Sequence, residues 1–94
     1  MFSISVNDKG IIVLTGRFDA AQVDKAREVF SGLDASAVVD FKDLDYISSA
    51  GLGVLLATQQ RLKRGGKAIK LVNMNRMVRD VFRIARFDLI FEIE

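Results

Sequence analysis

A strand-like run, Ala37-Val-Val-Asp-Phe41, leads within a few residues to Asp45-Tyr-Ile-Ser-Ser-Ala-Gly-Leu-Gly-Val-Leu-Leu56, which opens an apolar helical pattern near Leu52. A strand that turns this sharply into a buried helix confines the chain to layered α/β arrangements. Two hydroxyls, Ser48 and Ser49, fall at the turn. Gly51 and Gly53 keep side chains away from it, so another backbone can come close. The first turn of a helix carries unpaired N–H groups and a partial positive charge, which suits an anion. Local spacing supports two readings. Serine is a common helix N-cap and glycine is common at tight turns. Equally, a phosphate on one of these serines would sit on the helix N-terminus.

The rest of the chain repeats the same alternation. Phe2, Ile4 and Val6 alternate with Ser3, Ser5 and Asn7, as in a strand with one wet face. Asn7-Asp-Lys-Gly10 reads as a turn, and residues 11–15 as a second strand that Gly16 ends. Asp19 is placed to cap a helix over 20–30, with Ala20, Val23, Ala26 and Phe30 on one face. The third strand spans 37–41, and a helix over 51–64 is stopped by Gly65-Gly66. A fourth strand over 67–72 precedes Asn73, read as the cap of a helix over 74–86. That helix aligns Met74, Met77, Val78, Val81, Phe82 and Ala85. Residues 89–93 form a short last strand. Strands alternating with helices imply right-handed parallel crossovers. The expected fold is therefore α/β: a mixed sheet of about five strands, the first an antiparallel edge, with the helices on one face. Ninety-four residues suit a single domain over 1–94.

Composition narrows the chemistry. The chain has no histidine, so it lacks the commonest general base, the commonest transition-metal ligand and any Ser-His-Asp triad. It has no cysteine, which removes thiol chemistry and disulfides. An enzyme is not expected. No apolar run reaches a membrane span, and Met1-Phe-Ser-Ile-Ser has neither the basic nor the apolar part of a signal peptide. A cytoplasmic protein is the simplest expectation. Residues 1–47 carry five Lys/Arg against eight Asp/Glu, while residues 48–94 carry nine against four. That polarity orients charged partners.

The order and spacing of these pieces resemble the STAS domain family, the anti-sigma factor antagonists of bacteria. Gly16-Arg-Phe-Asp19 resembles the family's Gly-x-Leu-Asp before its first helix. Val38-Val-Asp-Phe41 resembles its central strand, and Lys67-Ala-Ile-Lys-Leu-Val-Asn73 the next. Ser48-Ser-Ala-Gly-Leu-Gly53 resembles the family's Asp-Ser-Ser/Thr-Gly-Leu-Gly, in which the first hydroxyl of the pair is phosphorylated. Aligning on Gly51-Leu52-Gly53 places Ser49 at the phosphorylated position, Ala50 on the second hydroxyl and Ser48 on the acid. Ser48 is the second-choice acceptor.

The resemblance implies partner switching in the control of transcription. The unphosphorylated form binds a serine kinase that is also an anti-sigma factor, and so frees a sigma factor. Phosphorylation of Ser49 ends the binding, and a serine phosphatase restores it. The partner-binding residues implied are Asp19, Ser48, Ser49, Ala50, Gly51, Leu52 and Gly53. No cofactor is implied, and any magnesium would belong to the kinase or phosphatase. The alternative is a non-switching scaffold or transporter-associated STAS subunit, in which Ser49 is only a cap and contact residue.

Other motifs carry less. Gly51-Leu-Gly53 lacks the third glycine of a dinucleotide fingerprint, and no P-loop is present. Asp19, Asp40, Asp43 and Asp45 offer oxygens for a hard cation, but also read as turn and strand-end residues, and no metal site is expected. Arg76, Arg79, Arg83 and Arg86 form a stripe on the last helix, either a solvated face or a docking patch for an acidic protein or anionic membrane. Direct nucleic-acid contact is not expected, because Asp80 interrupts the stripe and no aromatic residues interleave it.

Overall fold

Apolar side chains alternate along much of Phe2–Val6, Ile12–Phe18 and Ile69–Val72 and along the first half of Ala37–Ile47, and the chain buries most of them on one face of a sheet. The computed structural model describes residues 1–94. Its elements run β1 (Phe2–Val6), β2 (Ile12–Phe18), a 3-10 turn (Ala20–Gln22), α1 (Val23–Ser31), β3 (Ala37–Ile47) and α2 (Ser49–Arg64). They continue through β4 (Ile69–Val72), α3 (Arg76–Ile84), a 3-10 turn (Phe87–Leu89) and β5 (Glu92–Ile93). The sheet has five strands in the order β1-β2-β3-β4-β5, with β1 antiparallel to β2 and every other pair parallel. Each crossover steps one strand in the same direction, so right-handed connections put all three helices on one face. Burial alternates accordingly: Ile12, Leu14 and Phe18 of β2 are buried, while Val13, Thr15 and Arg17 are not.

One core joins both ends of the sheet. Phe2 packs on Phe18 with ring centroids 4.9 Å apart. At the other end Phe82 of α3 meets Phe41 at 5.9 Å and Phe91 at 5.8 Å, both edge-on, the geometry that aromatic quadrupoles favour. The exposed margin of the sheet is tied by Lys70, which bridges Glu94 at 2.6 Å and Glu92 at 3.7 Å. The hydrogen bond to Glu94 raises the Lys70 pKa, against a smaller opposing effect of burial.

The expected order of elements holds, and several boundaries move. β2 does not end at Gly16. The strand passes through it with φ +83°, and a Cβ there would lie 1.5 Å from the Met1 carbonyl oxygen. The register of β2 against β3 shifts at Val13/Thr15 and again at Gly16/Arg17. These irregularities carry β3 on to Ile47, with Leu44 and Ile47 both inward, and they break the period-2 pattern that would reveal a strand beyond Phe41. The first helix begins as a 3-10 turn and becomes α-helical only at Val23. Asn75, not Asn73, caps α3, accepting from the Val78 N–H at 2.8 Å. Asn73 instead takes a left-handed turn, φ 63°, and donates to Asp40. Met77, aligned above with the apolar face, is 65% exposed. Leu89 lies in the 3-10 turn before a last strand of only two residues.

Gln59 is a polar residue that the apolar pattern of α2 conceals. It is buried, its Oε1 accepts from the Ile69 N–H at 2.9 Å, and its Nε2 donates to the Ile90 carbonyl at 3.2 Å. One side chain thereby joins α2 to the start of β4 and to the approach to β5. Gln59→Leu keeps the volume but leaves a buried amide and a carbonyl unpaired, a cost of about 1–3 kcal/mol. Urea unfolding of this variant should show a lower midpoint with an unchanged slope.

Candidate functional site

The site is built where β2 and β3 end side by side. Phe18 and Ile47 are register partners, and the Phe18 carbonyl accepts from the Ser48 N–H at 2.9 Å. That bond fixes the Ser48–Ser49 turn against the residue preceding Asp19. Ser48 is extended (φ −89°, ψ 170°) and is the N-cap of α2: its Oγ accepts from the Gly51 N–H at 3.2 Å, and its carbonyl from the Leu52 N–H at 2.9 Å. Ser49 is the first residue of the helix, exposed, and takes no part in the cap. The amides of Ser49 and Ala50 are left over by the helical pattern, and no acidic side chain occupies the first turn.

Asp19 stands across the junction, half-buried, and caps the 3-10 turn by accepting from the Ala21 N–H at 3.1 Å. Of the seven residues picked out in the sequence, the fold brings Asp19, Ser48, Ser49, Ala50 and Gly53 to one surface. It turns Gly51 and Leu52 inward. The two glycines therefore differ. A Cβ on Gly51 would lie 2.9 Å from Ile47 Cγ1 and 3.1 Å from both Phe18 Cγ and the Phe18 carbonyl oxygen. Gly51 is what lets α2 sit on the strand ends. Around Gly53 there is nothing within 4 Å of the Cβ position, so the fold itself makes no demand for glycine there.

One feature beside the turn is not readable from the sequence. Arg17 stacks on the Tyr46 ring, 4.2 Å from guanidinium carbon to centroid. The two are register partners one step before Phe18 and Ile47. Only the bulged register places them together, so neither spacing nor composition carries the signal. The four aspartates do not converge, and no group of three or more acidic side chains forms. Asp40 accepts from Asn73 Nδ2 at 3.1 Å and from the Lys42 N–H at 2.9 Å.

Fold and turn together define a small α/β domain that presents a serine on a capped helix N-terminus beside a parallel sheet end. The chain belongs to the STAS domain family: the family model described as "Mlab, STAS domain" matches residues 4–92. The candidate anti-sigma factor antagonist BtrV of Bordetella bronchiseptica is 39% identical over 74 residues, 79% of this chain and 58% of that protein. The chain thus spans little more than half the length of BtrV. A STAS-domain containing protein of Pseudomonas aeruginosa is 28% identical over 85 residues, covering 87% of this chain and 84% of that one. Among solved structures, SpoIIAA in its unphosphorylated form superposes with a TM-score of 0.78 at 19% identity, over 100% of this chain and 88% of that one. A candidate anti-sigma factor antagonist of Thermotoga maritima superposes at 0.81 with 18% identity, over 98% and 84%. These structural likenesses concern the fold.

The contrast between the glycines is testable. Gly51→Ala forces a side chain into backbone and ring atoms and should destabilise the domain by about 1–3 kcal/mol. Gly53→Ala removes a flexible residue from an open helix position and should stabilise it by about 0.5–1 kcal/mol. Thermal unfolding of the two variants should move in opposite directions.

Proposed function

We propose that this chain is an anti-sigma factor antagonist, a cytoplasmic binding domain rather than an enzyme, and that phosphorylation of Ser49 switches its partner. The observation that carries the reading is the division of labour between the two serines. Ser48 is held by the cap, and Ser49 is exposed on the first turn of α2. In its free form the domain binds a serine kinase that doubles as an anti-sigma factor. The kinase transfers the γ-phosphoryl group of ATP to Ser49 Oγ, which gives up its proton, and ADP leaves. A serine phosphatase hydrolyses the ester and resets the cycle. Family membership and the likeness to BtrV, an anti-sigma factor antagonist by name, support the class of partner.

The switch works because two environments treat the same charge differently. A phosphoserine carries about −1.5 to −2 charges at neutral pH. Within the domain it faces the free amides of the α2 N-terminus and is tolerated. Beneath a partner it is a bulky, desolvated charge without a counter-ion, a cost of several kcal/mol, with each 1.4 kcal/mol worth about tenfold in affinity. Gly53 fits this reading, since an open glycine with no internal purpose leaves a flat surface for a partner backbone.

Pull-down from native lysate with the wild-type chain beside Ser49→Asp should recover the kinase with the wild type alone. Phosphosite mapping after incubation with that kinase and ATP should place the phosphate on Ser49. Ser49→Asp should leave the isolated domain as stable as the wild type, or more stable by about 0.3–1 kcal/mol. Phosphate mainly on Ser48 overturns the assignment, and equal recovery by both baits moves the reading to a non-switching scaffold.

Asp19 provides a second test. Asparagine caps about as well as aspartate, so Asp19→Asn should keep the 3-10 turn and leave stability within about 0.5 kcal/mol. Calorimetry against the recovered kinase should nevertheless show weaker binding. Unchanged affinity assigns Asp19 to capping alone.

A further inference from the structure

The outer face of α3 has no role in the switch described above, yet it is not an ordinary solvated face. Five large apolar side chains of the chain are exposed, and three of them, Met77 (65%), Ile84 (83%) and Leu89 (79%), lie on α3 and the turn after it. Met77 and Ile84 are seven residues apart, so they share one side of the helix about 10 Å from each other along its axis. Arg76 and Arg83, also seven apart, form a parallel row beside them, while Arg79 lies farther round the helix, away from Met77. Asp80 falls between the two rows and is paired with Arg83. A shallow concavity at the start of this face is lined by Asn75, Arg76, Met77 and Asp80. Solvation accounts for the arginines. It does not account for an isoleucine and a methionine standing among them.

We propose that this face is a docking surface for an acidic amphipathic helix of a partner protein. The apolar row would meet the partner's i, i+3/i+4, i+7 edge, and the arginine row its carboxylates. Charge selects the occupant: the face carries Arg76 and Arg83 against Asp80 alone, and with Asp80 and Arg83 paired, Arg76 beside Met77 remains an unneutralised cation. A lipid surface fits less well. The broad apolar side of α3, Val78 and Phe82, is consumed by the core, and the strip that remains is narrow and bordered by a carboxylate. A membrane-lying helix needs its wide apolar face outward. A second copy of this chain also fits less well. The acidic residues of its α1, Asp24 and Glu28, are interleaved with Lys25 and Arg27, and Asp24 pairs with Arg27, so α1 offers no net acidic face. The proposal does not rest on Ser49.

The probe is a fluorescein-labelled synthetic peptide with leucines at i, i+3, i+4 and i+7 spacing and glutamates on the flanking positions. Its anisotropy is titrated with the full chain. A scrambled peptide of the same composition, phosphatidylserine–phosphatidylcholine vesicles and sedimentation velocity of the chain alone run beside it. The expected result is saturable binding of the amphipathic peptide that weakens with salt. Ile84→Ser and Arg76→Glu should each reduce affinity about tenfold or more, with unchanged circular dichroism and melting temperature. Ser49→Asp should have no effect. If Ile84→Ser does not fold, Met77→Ser makes the same measurement. Absence of saturable binding overturns the proposal, as does equal binding of the scrambled peptide, which marks a merely basic face. Vesicle binding without peptide binding assigns the face to lipid, and self-association abolished by Ile84→Ser assigns it to a second copy; either outcome also overturns it.

Discussion

The first turn of α2 rests on the ends of β2 and β3 with no side chain between them, and the rest of the site follows from that contact. At Gly51 the helix backbone stands so near Phe18 and Ile47 that even a methyl group would meet ring, side-chain and carbonyl atoms. The Ser48 N–H reaches the Phe18 carbonyl across the same junction. Once the helix is seated this closely, Ser48 must be extended, its hydroxyl falls on the Gly51 amide, and Ser49 is turned outward as the first helical residue. The cap and the exposed serine are thus two consequences of one packing constraint. Asp19, one residue beyond Phe18, is carried to the same surface by the same pair of strand ends.

The alternation of elements was legible because each strand face and helix stripe obeys its own period, and the parallel order followed from handed crossovers. What the sequence hid were places where backbone geometry, not pattern, decides. Gly16 looks like a terminator, yet its positive φ lets β2 continue to Phe18. Extra residues in β3 at its two register shifts change that strand's phase, so that Leu44 and Ile47 point inward beyond the expected strand end at Phe41. The α3 cap, expected from Asn73, is supplied by Asn75. The bond from Asn75 Nδ2 to the Leu44 carbonyl, at 3.0 Å, anchors the second and leaves the first to make the left-handed turn.

The candidate site was legible as a motif but not as a division of roles. Spacing presents two serines and two glycines as equivalent pairs. Structure separates each pair into an internal and an external member: Ser48 and Gly51 build the turn, while Ser49 and Gly53 face away from it. Met77 shows the opposite failure. Its position fits the apolar period, but it lies on the flank of the stripe that Val78 and Phe82 bury against Phe41 and Phe91, and it stays exposed.

Separation of roles is also what makes a charge switch compatible with so small a domain. A protein of this size has a modest stability margin, so a modification that disturbed the cap or the Gly51 contact would threaten the fold along with the interface. Because Ser49 lies outside both, a charge added there meets only solvent and the amides of the first turn while the domain is free. Beneath the proposed partner, the same charge would lose its water and become unfavourable. In the switch proposed above, the difference between those two states would be the switching energy. Such a device needs a rigid seat and a free hydroxyl at adjacent positions, and Ser48 and Ser49 supply one each.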